Sequence, residues 1–141
     1  MAADTAAWQT FAFAFAARYR PVLLAFGVTP STARVVVGPP EPGAVLRARF
    51  GPFLLDTTLD NVADVTVGGP YRPHRVIGPR LSLADRGVTF GTSVSAGVCV
   101  RFHEPVGALF GHRFVRHPGM TVTVQDPDGF ARVVRARAGL A

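Results

Sequence analysis

Alternation between bulky apolar residues and small or polar residues is the dominant pattern of the chain, and residues 11–16 show it most clearly. They read FAFAFA, so three phenylalanines fall on one face of an extended chain and three alanines on the other. On a helix, residues two apart point about 200° away from each other. The stretch therefore predicts a β-strand with Phe11, Phe13 and Phe15 in the core. A helix from Ala6 onwards is the alternative, because alanine is a good helix former.

The same period of two recurs in residues 44–67. Apolar residues at the even positions from 44 to 50 alternate with a valine and two arginines, which is typical of a strand with one buried face and one solvated face. Gly51 and Pro52 predict a tight turn, and two more strands follow at 53–57 and 62–67. Three short strands in succession predict a meander. Further strands are predicted at 32–38, 97–104 and 120–125, with a hairpin over 81–92 that turns at Asp85, Arg86 and Gly87.

Two helices are predicted, one near each end of the chain. Pro21 suits a first helical turn and Gly27 suits a helix end, so a short helix fits between them. Asp126 can cap a second helix that begins at Pro127 and stops at Gly139. This second helix is amphipathic, with an apolar stripe for packing on a sheet and arginines facing water. The stripe is Phe130, Val133 and Val134, and the arginines are Arg132 and Arg135.

Length and composition favour one β-rich domain. The 141 residues suit a single domain (1–141), and the 15 glycines and 12 prolines supply more turns than a helical bundle uses. Proline and glycine predict three long connections, at 38–43, 70–80 and 105–119. The expected fold class is mainly β (α+β), a roll or partly open antiparallel barrel with a short N-terminal helix and a C-terminal amphipathic helix.

The net charge of +6 comes from 15 basic residues that are all arginine. They are spread from Arg18 to Arg137 rather than gathered in one segment with aromatic residues, so nucleic-acid binding is not favoured. Arginine does match the geometry of phosphate and carboxylate groups. The charge is thus compatible with an acidic protein partner, an anionic ligand or the surface of an anionic membrane.

The first residues do not resemble a secretion signal or a membrane span. Residues 1–9 carry no basic residue and include Asp4, and Arg18 interrupts the following apolar run before it reaches the roughly 20 residues needed to cross a bilayer. Cys99 is the single cysteine, so no internal disulfide can form. Both features predict a cytoplasmic protein without a transmembrane segment.

The best candidate binding site is the basic loop 70–80. Arg72, His74, Arg75 and Arg80 lie close together there between glycine and proline residues, and arginines beside exposed backbone amides suit a phosphate or a carboxylate. A solvated connection without a ligand is the favoured alternative.

Other polar groups predict neither a metal site nor a catalytic site. The spacing of His103, Glu104, His112 and His117 matches no pattern of metal ligands. Cys99 has no base at a suitable distance, since an extended backbone places His103 roughly 13 Å away. We therefore expect no catalytic residues, no metal and no cofactor.

The chain resembles bacterial pleckstrin-homology-like (PH-like) domains. The segment VLRARFGPFLLDTTLDNVADVTV is similar to their central strands, and MTVTVQDPDGFARVVRA is similar to their closing strand, Asp-Pro turn and final helix. The resemblance covers residues 34–137, leaves the N-terminal strand and helix (8–27) outside, and extends in style to small actinobacterial proteins. It implies a fold that binds lipids, peptides or proteins and rarely performs chemistry. No functional residue is carried over, because RARFG lacks the lysine of the phosphoinositide motif.

The sequence thus predicts a cytoplasmic, PH-like binding or interaction module without catalytic activity, and it leaves self-association open. The alternative is a split-barrel protein, conceivably an enzyme, that holds a flavin or a small apolar metabolite between Phe11, Phe13, Phe15 and Phe90. A third hypothesis is peripheral attachment to anionic membranes through residues 72–80.

Overall fold

The computed structural model of the chain describes residues 8–41, 43–70, 77–81, 87–93, 95–110 and 113–140. Within these ranges it contains nine strands and two α-helices. The strands are β1 (Gln9–Ala12), β2 (Ala33–Val37), β3 (Val45–Phe50), β4 (Phe53–Thr58), β5 (Val62–Gly68), β6 (Gly78–Leu81), β7 (Val88–Gly91), β8 (Gly97–Phe110) and β9 (Arg113–Val122). The helices are α1 (Arg20–Ala25) and α2 (Pro127–Arg137), with 3-10 turns at Ala17–Tyr19 and Leu59–Asn61.

One mixed sheet runs through the molecule in the order β1-β2-β3-β4-β8-β9-β7-β6, with β5 paired to β8 outside this path. All neighbouring strands are antiparallel except β7 and β9, which are parallel. The sheet curls until Phe13, just after β1, forms a single bridge with Val124, just after β9. Among the described residues, this bridge and a few hydrogen bonds around it make the connection, and no ladder between two strands closes the sheet. The mainly β, α+β class is confirmed.

Residues 44–67 do not form the predicted meander. β3 and β4 pair as a hairpin, but β5 pairs with β8 instead of β4. The side chain of Asn61 helps to redirect the chain, since its Nδ2 donates to Glu104 O (3.0 Å) and its Oδ1 accepts from Glu104 N (2.9 Å). This amide occupies the place of a strand residue beside β8.

The predicted long loop at 105–119 is wrong as well, because this segment is the β8–β9 hairpin. The register moves from Arg101 opposite Gly119 to Val106 opposite His117. Four residues, 102–105, therefore lie opposite Pro118 alone. A bulge frees residues from ladder hydrogen bonds, so prolines at 105 and 118 are tolerated within long strands.

The strand prediction for residues 11–16 is confirmed in its first half, which also excludes the helical alternative. β1 includes Phe11 and Ala12, where its ladder with β2 ends, and Phe13 beyond it forms only the isolated bridge to Val124. The next residues are tied to other strand ends, since Ala14 N donates to Thr123 O at 2.8 Å and Ala16 N donates to Thr92 O at 3.1 Å.

Three phenylalanine rings form the centre of the core. The Phe50 ring lies 5.0 Å from Phe90 in a stacked arrangement and 5.4 Å from Phe13, between centroids. Helix α2 covers one side of this core, because Phe130 and Val134 are fully buried and the Phe130 ring meets Phe11 edge-on at 5.1 Å. The phenylalanines predicted from the period of two thus mainly fill the interior.

Both helices begin and end as predicted. Pro21 lies in the first turn of α1, and Gly27 follows it with φ +77°. Asp126 caps α2 by accepting from Gly129 N (3.0 Å), and Gly139 ends it with φ +75°. Left-handed φ values are easily adopted only by glycine.

Arg135 does not face water, contrary to the prediction. Its Nε donates to Val65 O (3.2 Å) on β5, and Nη1 of Arg137 donates to Gly38 O (2.8 Å) after β2. The apolar stems of arginine can lie along a core while their guanidiniums reach strand carbonyls. Burial lowers the pKa of the Arg137 guanidinium. The two arginines thus attach α2 to strands that are far apart in the sheet.

Candidate binding surface

Three of the four residues predicted to bind an anion, Arg72, His74 and Arg75, lie outside the described residues. Arg80 is in strand β6, opposite Thr89 of β7, rather than in the predicted loop. The β6–β7 hairpin is confirmed, but its first strand begins at Gly78. Pro79 is tolerated there because β6 is an edge strand.

Two described residues of the predicted loop lie near the end of helix α1. Gly78 has φ +91°, and a Cβ atom built on it would stand 3.8 Å from Cε2 of Phe26. Ile77 before it is buried. The start of β6 is therefore a neighbour of the chain that follows α1.

An unusual group of exposed apolar side chains lies on and just after α1. Val22, Leu24 and Phe26 are 47%, 63% and 47% exposed, whereas Leu23 between them is fully buried. The helix is only six residues long and is apolar from Pro21 to Ala25. One side chain, Leu23, anchors it in the core, and the other large side chains leave about half of their surface exposed.

Two arginines stand at the start of this group. Arg18 and Arg20 are exposed, and neither has an ion-pair partner among the described residues. The Arg18 guanidinium lies over the ring of Tyr19, 5.9 Å from its centroid. We call Arg18, Arg20, Val22, Leu24 and Phe26 together the α1 surface.

The α1 surface is held firmly by the turn between β3 and β4. Gly51 has φ +60° and approaches so closely that a Cβ on it would lie 2.7 Å from Gly27 O. A Cβ on Gly27 would stand 3.4 Å from Pro52 Cδ. Thr32 donates from Oγ1 to Gly27 O (2.9 Å), which fixes the chain leaving the helix. The exposed side chains are thus presented from a well-packed base.

A second charged feature lies on the outer face of β2, β3 and β4. Arg34 of β2 is directly opposite Arg49 of β3, and both side chains are exposed. Arg47, two residues before Arg49, is instead paired with Asp56 of β4, with 3.0 Å between Nη2 and Oδ2. The sequence predicts a solvated strand face for Arg47 and Arg49 only, and it does not predict that Arg34 lies opposite Arg49, because cross-strand pairing is not visible in a sequence.

The other polar candidates are dispersed. His103 and Glu104 are exposed in β8, His117 is buried in β9, and His112 lies outside the described residues. No group of three or more histidine, cysteine, aspartate or glutamate residues close enough for a metal occurs in the described part of the chain. Cys99 is a free, half-buried thiol.

The phenylalanines of the alternative hypothesis lie against protein groups. Phe90 stacks on Phe50 and Phe11 contacts Phe130, while Phe13 is 2% exposed. Phe15 is half-buried and packs against the same core.

Comparisons with known proteins give no relative for this chain. No protein-family model, no curated protein and no solved structure matches it significantly. None of the described helices is long and apolar enough to span a membrane. A functional hypothesis therefore depends on the surfaces described above, and the α1 surface is the feature that sequence reasoning missed. The signal that could have found it is the run VLLAF, which is too apolar for a helix of two turns that can bury one face.

Proposed function

We propose that the protein is a non-enzymatic binding module that attaches reversibly to anionic membranes through the α1 surface. The observation that supports this most is the exposure of Val22, Leu24 and Phe26 beside two arginines without carboxylate partners. Exposed apolar groups next to basic groups match an anionic bilayer, which offers hydrocarbon below a negatively charged layer. A cytoplasmic location, expected from the single free cysteine, belongs to the same proposal.

The expected strength suits weak, reversible attachment. Full burial of one such apolar side chain contributes about 1.5–3 kcal/mol. About half of each is exposed, so the three together would contribute roughly 3 kcal/mol. Arg18 and Arg20 would add about 1 kcal/mol each near anionic lipid. This surface therefore needs a second interaction for stable anchoring, and the basic residues predicted to bind an anion that precede Gly78 in the sequence are the nearest candidates.

The PH-like resemblance supports the proposal in a general way. Antiparallel strands followed by a capped amphipathic helix are present, as the resemblance implies. The pairing of β5 with β8 departs from the expected meander. Membership of that class of domain is accordingly part of the proposal, and so is the absence of catalysis.

Sedimentation with lipid vesicles tests this function. We expect the protein to bind phosphatidylcholine vesicles that contain phosphatidylserine and to bind pure phosphatidylcholine vesicles much less. Replacing both Leu24 and Phe26 by serine should lower the partition coefficient about thirty-fold, which corresponds to about 2 kcal/mol. Raising the salt concentration should also weaken binding, because the arginines are exposed.

The matched control is Val67→Ser. Val67 is 41% exposed on β5, outside the α1 surface, so this variant should bind vesicles like the wild type. Equal binding by L24S/F26S and the wild type would refute the proposal. Concentration-dependent dimers that L24S/F26S abolishes, without any vesicle binding, would reassign the α1 surface to contact with a second copy of the chain.

A further inference from the structure

The register of β2 and β3 places two exposed arginines directly opposite each other. Arg34 and Arg49 are Cα partners, and the residues before and after each of them are buried. Both side chains therefore leave the sheet on its outer face. Side chains of directly opposite residues start about 4.5–5.5 Å apart, measured between Cβ atoms. Like charges on directly opposite residues destabilise a sheet, and an anion bound between the two guanidiniums would relieve this repulsion.

The neighbouring positions in this row supply no negative charge. Ala12 of β1 is next to Arg34, and Leu54 of β4 is next to Arg49. The adjacent row shows the contrast, because there Asp56 lies opposite Arg47 and binds it. Among the described residues, neither Arg34 nor Arg49 has an ion-pair partner. Of the three exposed arginines on β2 and β3, one is thus neutralised by Asp56, and the opposed pair Arg34 and Arg49 stays charged.

We propose that Arg34 and Arg49 together bind a phosphate-type oxyanion, either inorganic phosphate or a phosphomonoester group. Each guanidinium can donate two parallel N–H bonds to one anion. A carboxylate carries one negative charge on two oxygens, whereas a phosphate monoester carries nearly two negative charges on three free oxygens, so it can neutralise both arginines while it accepts hydrogen bonds from each. The opposed pair therefore matches phosphate better than an acidic side chain.

This site is independent of the α1 surface but lies at the same end of the sheet. Arg49 is two residues before Gly51, whose N donates to Thr32 O (2.9 Å), and Gly51 packs on Gly27 after α1. The phosphate could therefore belong to a soluble compound or to a lipid headgroup. The chemistry at the two arginines is the same in both cases.

Titration with inorganic phosphate, followed by NMR of the backbone amides, tests the site directly. At constant ionic strength, we expect saturable shifts centred on residues 34 and 49, which chloride does not reproduce. Arg34→Gln should weaken phosphate binding at least about ten-fold, because one of two charged forks is lost. Arg132→Gln, which removes an exposed charge from α2, should leave phosphate binding unchanged.

Thermal unfolding provides a second readout that does not require assigned spectra. Arg34→Gln should raise the melting temperature at low salt, since it removes the like-charge pair, and phosphate should raise it less than in the wild type. Non-saturable shifts, or equal phosphate effects in R34Q and the wild type, would overturn the proposal.

Binding to lipid vesicles distinguishes a lipid headgroup from a soluble phosphate compound. Vesicles that contain phosphatidic acid are compared with vesicles that contain phosphatidylglycerol at equal charge. If the wild type binds phosphatidic acid more tightly than phosphatidylglycerol and R34Q loses this difference, the ligand is a lipid headgroup. If the protein binds inorganic phosphate but does not prefer phosphatidic acid, the ligand is a soluble phosphate compound.

Discussion

A few buried polar side chains join strand ends that no ladder connects. The clearest case is Thr92, which is fully buried after β7. Its Oγ1 donates to Ala14 O (2.6 Å), and its backbone N donates to Oγ1 of Thr123 (2.8 Å). Three segments that follow β1, β7 and β9 are thus held together at the point where the sheet curls back on itself. Buried hydrogen bonds of this kind stabilise the fold mainly because a buried donor or acceptor that loses its partner raises the free energy of the folded state.

At this scale we predict that Thr92→Val destabilises the protein. The substitution keeps the shape of the side chain but leaves Ala14 O without its donor, so the free energy of unfolding should fall by about 1–3 kcal/mol. Urea denaturation measures this loss. Thr66→Val on the exposed face of β5 is the control, expected to change stability by less than about 0.5 kcal/mol. Similar losses for both variants would show that the hydrogen bonds of Thr92 do not stabilise the curled sheet.

Among the elements, the turn between β3 and β4 has the clearest structural task, because it supports α1. Gly51 combines a positive φ with a backbone contact to Gly27, whereas Gly43 has φ +78° and no atom within 4 Å of a built Cβ. Both glycines thus have a positive φ, but only Gly51 also lies close to another backbone atom. They allow the two effects to be measured separately.

We predict that Gly51→Ala destabilises the protein more than Gly43→Ala. Alanine at either position adopts an unfavourable left-handed conformation, which costs about 1 kcal/mol. At Gly51 the added methyl group would also displace Gly27 O, and with it the base of the α1 surface. Chemical denaturation gives the difference, and amide spectra should show changes around Gly27 in the Gly51 variant only. An equal loss for both variants would mean that the turn does not hold α1 in place.

Local signals in the sequence predicted the elements better than their partners. The Asp126 cap, the Gly27 and Gly139 helix ends and the alternation in β3 are encoded within a few residues, and each is confirmed. The partner strand of β5 is not encoded locally. It depends on the bulge in β8, some 40 residues later in the chain, and on the Asn61 side chain that contacts this bulge. Pro105 and Pro118 predicted a loop because proline cannot donate to a strand ladder. The bulge that tolerates both prolines could not be predicted, because it has no local pattern in the sequence.

At the scale of the whole molecule, one curled sheet and one helix bury most of the large apolar residues in the part of the chain that the structure describes. The exposed exceptions there are Trp8, Val22, Leu24, Phe26 and Val67, and three of these five belong to the α1 surface. Helix α2 is attached to β5 and to the end of β2 through Arg135 and Arg137, so two of the charges are used inside the fold. The sequence indicated an excess of arginine but not which arginines remain available. In the structure, Arg34, Arg49 and the two arginines of the α1 surface are among those whose side chains stay exposed.

The most direct test of the central claim is to measure whether the α1 surface enters a lipid bilayer. A polarity-sensitive fluorophore is attached to Leu24→Cys in a Cys99→Ser background, with Val67→Cys as the matched label site on β5. We predict a blue shift and increased intensity at position 24 with vesicles containing phosphatidylserine, no shift at position 67, and loss of the effect in high salt. An unchanged spectrum at position 24, or equal shifts at both positions, would contradict the account.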